Sequence, residues 1–252
     1  MQFKFVCLNL WYGGKLFDNV VTFLGKEKPD VLALQEVYNA GVPSYPKNYR
    51  TMQELPKLLG YEFTDFAPAF MDHRPEGPVA ESGNAVFSRF PIIGRKVFFY
   101  DKQYDPNYVE QKDSRFVPRN LEHVKIEIDG KELSVFNTQG IWGFDGEDNE
   151  RRLKMSETIR AQYRDKANII LCGDFNTKEH TKSMTNFEKD LKNVFKGELE
   201  RSFNMRHKPA GSGFATAVVD MVYVSPNIKV VEHYSIDEDV TDHVPLVCVF
   251  DL

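Results

Sequence analysis

Apolar and polar positions alternate in short runs along most of the chain. Strand-like runs fall at 3–10, 31–35, 60–67, 84–88, 93–100, 122–128, 132–138, 167–172, 218–224, 229–234 and 244–250. They are rich in Val, Ile and aromatic residues and are short, as strands are. Asp129-Gly130 separates two of them and predicts a hairpin turn. Helical spacing is rarer. Apolar residues recur with helical period over 16–26, over 150–166 with Arg, Lys and Glu on the outer face, and over about 181–195. Many short strands with few helices predict an α/β architecture of stacked sheets with helices outside. No repeat, low-complexity stretch or linker interrupts the 252 residues, so a single domain over 1–252 is expected. Loop-rich regions at 71–83, 101–119, 140–148 and 200–215 are long enough to carry function.

Composition narrows the class. The formal net charge of −5 lacks the basic excess of a dedicated nucleic-acid binder, although a nuclease can grip through a local patch. Cys7, Cys172 and Cys248 each lie inside an apolar run. They read as buried free thiols, which fits a reducing, cytoplasmic setting better than a disulfide scaffold or a zinc cluster. The N-terminal run is short, is interrupted by Asn9 and reads as a strand, not a signal peptide. No apolar run is long enough to span a membrane, and a monomer is expected.

Against this background, polar residues recur where strands end. Asn9 closes the first run and Glu36 follows the second. Asn137 and Gln139 end a later one. Asp174 and Asn176 follow Ile169-Ile170-Leu171-Cys172. Asp220 lies inside an apolar run, and Asp242-His243 precedes the last. Each alone has an ordinary explanation as a cap or turn. Asp220 is harder to dismiss, because a carboxylate inside an apolar strand must be paired or bind a metal.

Their order along the chain carries more. Leu8-Asn9, Leu34-Gln35-Glu36-Val37, the segment 83–92, Phe136-Asn137-Thr138-Gln139, Gly173-Asp174-Phe175-Asn176, Val219-Asp220-Met221-Val222-Tyr223 and Thr241-Asp242-His243-Val244-Pro245-Leu246 occur in sequence from residue 8 to 246. This set resembles the endonuclease/exonuclease/phosphatase superfamily, which has the deoxyribonuclease-type fold. The resemblance implies a four-layer α/β sandwich, with two mixed sheets face to face and helices outside. It also implies hydrolysis of a phosphoester with Mg²⁺ or Mn²⁺. Hard divalent ions take oxygen ligands, and Mg²⁺ needs only one or two carboxylates beside waters and substrate phosphate. By this resemblance Glu36 is the prime metal ligand, with Asn9 and Asp242 in support. Asp174 takes or orients the proton of the attacking water, and Asn176 donates to a phosphate oxygen. His243, held by Asp220, contacts the phosphate and stabilises growing charge.

One position departs from the pattern. Most relatives have His where this chain has Gln139. An amide can donate to phosphate but does not titrate near neutral pH. Three readings stay open: a natural branch in which the metal serves the leaving group, an engineered change that slows turnover, or a pseudoenzyme. Substrate identity lies in the loops. Arg115 and Arg119 are candidate phosphate clamps. Asn137 is a further candidate for substrate binding, and Trp142 can stack on a base or rest on a lipid. A phosphodiester of nucleic acid or nucleotide is the first expectation. A small phosphate ester, phospholipid or inositol phosphate is the second, and a non-catalytic binding scaffold the third.

Overall fold

A computed structural model describes residues 1–73, 77–109, 114–208 and 214–252. Twelve strands form two six-stranded sheets. They are β1 (Gln2–Asn9), β2 (Val31–Asn39), β3 (Phe63–Asp72), β4 (Ala80–Ser88), β5 (Ile92–Phe99), β6 (Asn120–Ile128), β7 (Lys131–Gln139), β8 (Ile169–Asp174), β9 (Lys192–Asn193), β10 (Asp220–Val224), β11 (Lys229–Ser235) and β12 (Leu246–Asp251). The first sheet has the order β11-β12-β1-β2-β4-β3 and the second β5-β6-β7-β8-β10-β9. Each is mixed, with one parallel pair, β1–β2 or β7–β8, at its centre.

Alternation along the central strands builds four layers. Phe3, Phe5 and Cys7 of β1 point between the sheets, where they meet Val124, Ile126, Val135, Ile170 and Val222 of the second sheet. Val6 and Leu8 point the other way, onto Val20, Phe23 and Leu24 of α2 (Phe17–Glu27) and Leu55 of α3 (Thr51–Leu59). On the far side, Phe136 and Leu171 pack under Met155, Ile159 and Tyr163 of α4 (Glu150–Tyr163). Central strands apolar on both faces are what a sheet covered on both sides requires. This is the expected α/β sandwich of two mixed sheets. The three cysteines are free and buried. Asp129 and Gly130 both have left-handed φ, 52° and 73°, as a type I′ hairpin turn needs.

Several expectations need correction. No single helix covers 181–195. It is replaced by the one-turn α5 (Lys182–Thr185), a 3₁₀ turn at Phe187–Lys189 and β9. Its apolar residues divide between two sides of the second sheet. Met184, Phe187 and Leu191 join the outer cluster, and Val194 and Phe195 enter the space between sheets. One helix face cannot serve both. Conversely, α3 forms although Pro56 interrupts its pattern, because Leu55 is buried and Gly60 closes the helix in a left-handed cap. The strand expected at 60–67 starts at Phe63 and runs on to Asp72. Parts of three expected loops, 74–76, 110–113 and 209–213, lie outside the described residues. Among the described residues, no helix is long and apolar enough to cross a membrane.

Candidate active site

Strand register alone brings the polar residues together. In the parallel β7–β8 pair Gln139 lies beside Asp174, and in the antiparallel β8–β10 pair Asp174 lies beside Asp220. Gln139, Asp174 and Asp220 thus form one row across the second sheet. In the first sheet Asn9 lies beside Gln35, next to Glu36. The two rows meet at one end of the sandwich. Asn9 Nδ2 donates across the gap to Asp174 Oδ2 at 3.0 Å and to Glu36 Oε1 at 3.3 Å. Gly173 permits the close pairing beneath. It has φ 149°, and a Cβ there would stand 1.8 Å from the Thr138 carbonyl oxygen.

Glu36 is aimed by backbone irregularity. The β2–β4 register shifts between Leu34 and Val37, and Glu36 in this bulge takes φ 55°. A left-handed non-glycine residue at a bulge marks a strained position of the kind found at functional sites. The turn α1 (Trp11–Gly14) is also left-handed at Trp11 and Tyr12. It delivers the Tyr12 N–H to Glu36 Oε2 at 2.8 Å. Gln139 Nε2 donates to Glu36 Oε1 at 2.8 Å and reaches Asp174 Oδ2 at 3.5 Å, while its Oε1 accepts from Arg119. The amide therefore ties two acids to a guanidinium. Asn176, at φ 52°, donates its N–H to Asp174 Oδ1 at 2.9 Å in a tight local turn.

The third component is an acid–imidazole pair. Asp220 Oδ2 lies 2.8 Å from His243 Nδ1, both side chains being buried. Burial opposes the charge on His243. The negative charges of Asp220 and Asp242, with Asp174 beyond, outweigh that and raise its pKa, so the imidazolium is favoured. Asp220 is itself raised, chiefly by burial, with His243 pulling the other way. Ser202 Oγ accepts from the Asp220 N–H at 3.1 Å, and Thr241 Oγ1 accepts from the His243 N–H at 3.0 Å, which fixes both backbones.

These groups open into a cavity of about 430 Å³ lined by Glu36, Arg119, Gln139, Trp142, Asp174, Asn176, Asp242 and His243, with Tyr12, Tyr38, Phe70, Asp72, Tyr108 and Lys208 among the rest. Two proposed binding residues lie elsewhere. Asn137 is fully buried under the floor. It accepts from Gln35 and donates to the Leu34 and Ala85 carbonyls and to Glu122, so it joins the two sheets and reaches no ligand. Arg115 is not part of the lining, and its guanidinium lies over the Phe144 ring at 5.2 Å. Asp220 stands behind His243 and does not line the cavity.

A family model for the Endonuclease/Exonuclease/phosphatase family matches residues 7–243. The chain belongs to this family. No curated protein sequence matches it significantly. Among solved structures, it is similar to an endonuclease/exonuclease/phosphatase from Beutenbergia cavernae (TM-score 0.78, 19% identity, covering 100% of this chain and 72% of the other). It is also similar to the mannosyl-6-phosphatase Bt3783 of Bacteroides thetaiotaomicron (0.65, 18%, 99% and 100%). A third is D. rerio TDP2 complexed with a single-strand DNA product (0.70, 13%, 100% and 99%). At such identities the likeness is one of fold.

The donor set suits a hard ion: carboxylates of Glu36, Asp174 and Asp242 converge on the cavity, and Asp242 Oδ1 is buried without a hydrogen-bond partner among the described residues. Asn9 supports Glu36 and Asp174 through its N–H groups, since its Oδ1 already accepts from Trp11 N at 2.9 Å. Ligand atoms of Asp174, Asp220 and His243 also lie within 4.8 Å of one another. That trio is the poorer cage, because the Asp220–His243 hydrogen bond occupies one atom of each. Two contributors went unread in the sequence. Lys208 pairs with Asp242 Oδ2 at 2.9 Å, a placement no motif announces. Arg152, expected on the outer face of α4, is fully buried and holds the Ile141 and Asn176 carbonyls. Its N–H donates to Oδ1 of the capping Asn149 at 3.0 Å, in the first turn of α4.

Proposed function

We propose that this family member hydrolyses a phosphoester with the help of a bound Mg²⁺ or Mn²⁺. The observation that carries this reading is the convergence of Glu36, Asp174 and His243 on one cavity, with Asp220 behind the imidazole. The named activities of similar folds, a phosphatase and a protein that holds a DNA product, agree with it. Glu36 would hold the metal, with Asp242 beside it, and the ion when bound would supply charge to the phosphoryl and leaving oxygens. Asp174 accepts the proton of the attacking water, held in place by the N–H groups of Asn9 and Asn176. His243 donates to a phosphoryl oxygen through Nε2, because Asp220 occupies Nδ1. Arg119 and Lys208 add positive charge to the lining of the same cavity.

Metal titration followed by hydrolysis of p-nitrophenyl phosphate and bis-p-nitrophenyl phosphate tests the proposal. Mg²⁺-dependent release is expected, and Glu36→Gln is expected to weaken metal affinity while Asp174→Ala abolishes turnover. Activity that persists in Asp174→Ala would overturn the assignment. A scaffold would show neither metal binding nor release.

A further inference from the structure

Arg152 shares the inward face of α4 with Met155, Ile159 and Tyr163, which follow it at helical spacing and are buried with it. A guanidinium keeps its charge, so burying it is unfavourable unless its N–H groups find acceptors. Each of its three nitrogens has one. Nε donates to the Ile141 carbonyl at 3.0 Å and Nη2 to the Asn176 carbonyl at 2.9 Å. Nη1 donates to the Glu147 carbonyl and to Asp145 Oδ1 at 3.3 Å. Ile141 and Asn176 each lie two residues beyond a strand end, after Gln139 of β7 and Asp174 of β8, and those two ends are register neighbours. One planar fork therefore spans the two chain segments as they leave adjacent parallel strands.

We infer that Arg152 is a positioning residue of the active site, whose fork sets the turn through which Asn176 serves Asp174. The inference rests on the hydrolytic reading above. Asn176 is held at φ 52°, a left-handed conformation that a non-glycine residue keeps only where its surroundings impose it. In that conformation its N–H meets Asp174 Oδ1 at 2.9 Å, and its Nδ2 lies 3.2 Å from Asp174 Oδ2 and 3.3 Å from the Gly140 oxygen. Its carbonyl faces the other way, onto Arg152 Nη2. Rotation to the right-handed region would break that bond and withdraw the N–H from Asp174 together. The same fork holds the inner side of the 140–148 loop, which carries Trp142 to the cavity. The Gly140 N–H to the Asp174 carbonyl at 2.7 Å and the Lys178 N–H to the Gly146 carbonyl at 2.8 Å close this loop against the same turn. Gly143 gives the fork room, since a Cβ there would stand 2.9 Å from Nη2. Lysine cannot replace the fork, because an ammonium is a point charge and cannot reach carbonyls on three segments at once.

Arg152→Lys, Asn176→Ala and the two combined test this, with p-nitrophenyl phosphate and Mg²⁺. Arg152→Lys should lower kcat about 10- to 100-fold with KM little changed, the effect of misplacing a group by about 1 Å. In the Asn176→Ala background the same change should add little, because both act through one turn; independent structural damage would multiply the two losses. Amide hydrogen exchange reads the turn without activity. In Arg152→Lys the Gly140 and Asn176 amides, both bonded to Asp174, should exchange about tenfold faster or more, while the amides of β1 and β12 keep their rates. Gly143→Ala crowds the fork without removing a partner, and it should move kcat and exchange in the same direction should Arg152→Lys fail to fold. Unchanged kcat or unchanged exchange in the folded variants, an effect on KM alone, or multiplied losses in the double variant overturns the positioning role and leaves hydrolysis standing. If the unaltered chain cleaves no ester, the hydrolytic reading falls and exchange decides. A faster Asn176 amide then upholds the hold of Arg152 on the turn, and an unchanged one overturns that as well.

Discussion

Replacing Gln139 by His asks what the amide at the centre of the site contributes. Its Nε2 faces Glu36 Oε1 at 2.8 Å and Asp174 Oδ2 at 3.5 Å, and its Oε1 accepts from Arg119. It bridges charges but has no proton to transfer near neutral pH. An imidazole in its place keeps an N–H toward the acids. Two carboxylates favour its charged form, so it can protonate the leaving oxygen. General-acid help of this kind is worth about a hundred- to ten-thousand-fold. The same change removes the acceptor of Arg119, whose Nε already has no hydrogen-bond partner among the described residues. That loss costs about 1–3 kcal/mol of stability. Gln139→His should therefore raise kcat for an alkyl phosphoester about a hundredfold while lowering the melting temperature. It should act far less on p-nitrophenyl phosphate, whose leaving group needs no proton. Steady-state kinetics on both esters, with thermal unfolding as control, read this out. An unchanged or slower alkyl rate in folded protein, or equal factors for both esters, refutes the reasoning.

Three further outcomes follow from the geometry. Asp220→Asn strips His243 of its nearest negative charge, so its pKa falls and the alkaline limb of the rate–pH profile moves to lower pH; an unmoved limb would show that Asp220 does not sustain the imidazolium. Glu122 is buried against Asp65 and held well above its ordinary 4.5, first by burial and then by that neighbour's charge. The unfolded chain releases this proton first, so above pH 4.5 stability falls with rising pH by about 1.4 kcal/mol per unit until the folded group ionises too. Glu122→Gln should flatten this slope in urea titrations and stabilise the protein at neutral pH. Gly173→Ala places a Cβ 1.8 Å from the Thr138 oxygen and should cost about 4 kcal/mol or more, seen as a collapsed melting temperature or insoluble protein.

The sequence by itself determined the stacked sheets and, through the order of its motifs, pointed to most of the polar groups that line the cavity. Its alternating strands leave β1, β2, β7 and β8 apolar on both faces, and only a doubly covered sheet can bury them. Periodicity made Asp220 conspicuous, because a charge inside an apolar strand needs a partner, while Glu36, Asp174 and His243 stood out only through the order of motifs and the family resemblance. Tertiary structure decided what periodicity cannot carry. Thr181 to Phe195 has helical spacing, yet its apolar residues serve two different layers. Asn137 looks like a site residue by motif, but register turns it into the space between the sheets. Lys208, Tyr38 and Asp72 enter the site from separate segments, and only strand pairing and loop closure bring them to the cavity. Local pattern records which residues must be buried or paired. Which ones meet is set by long-range pairing, where no single stretch of chain holds both partners.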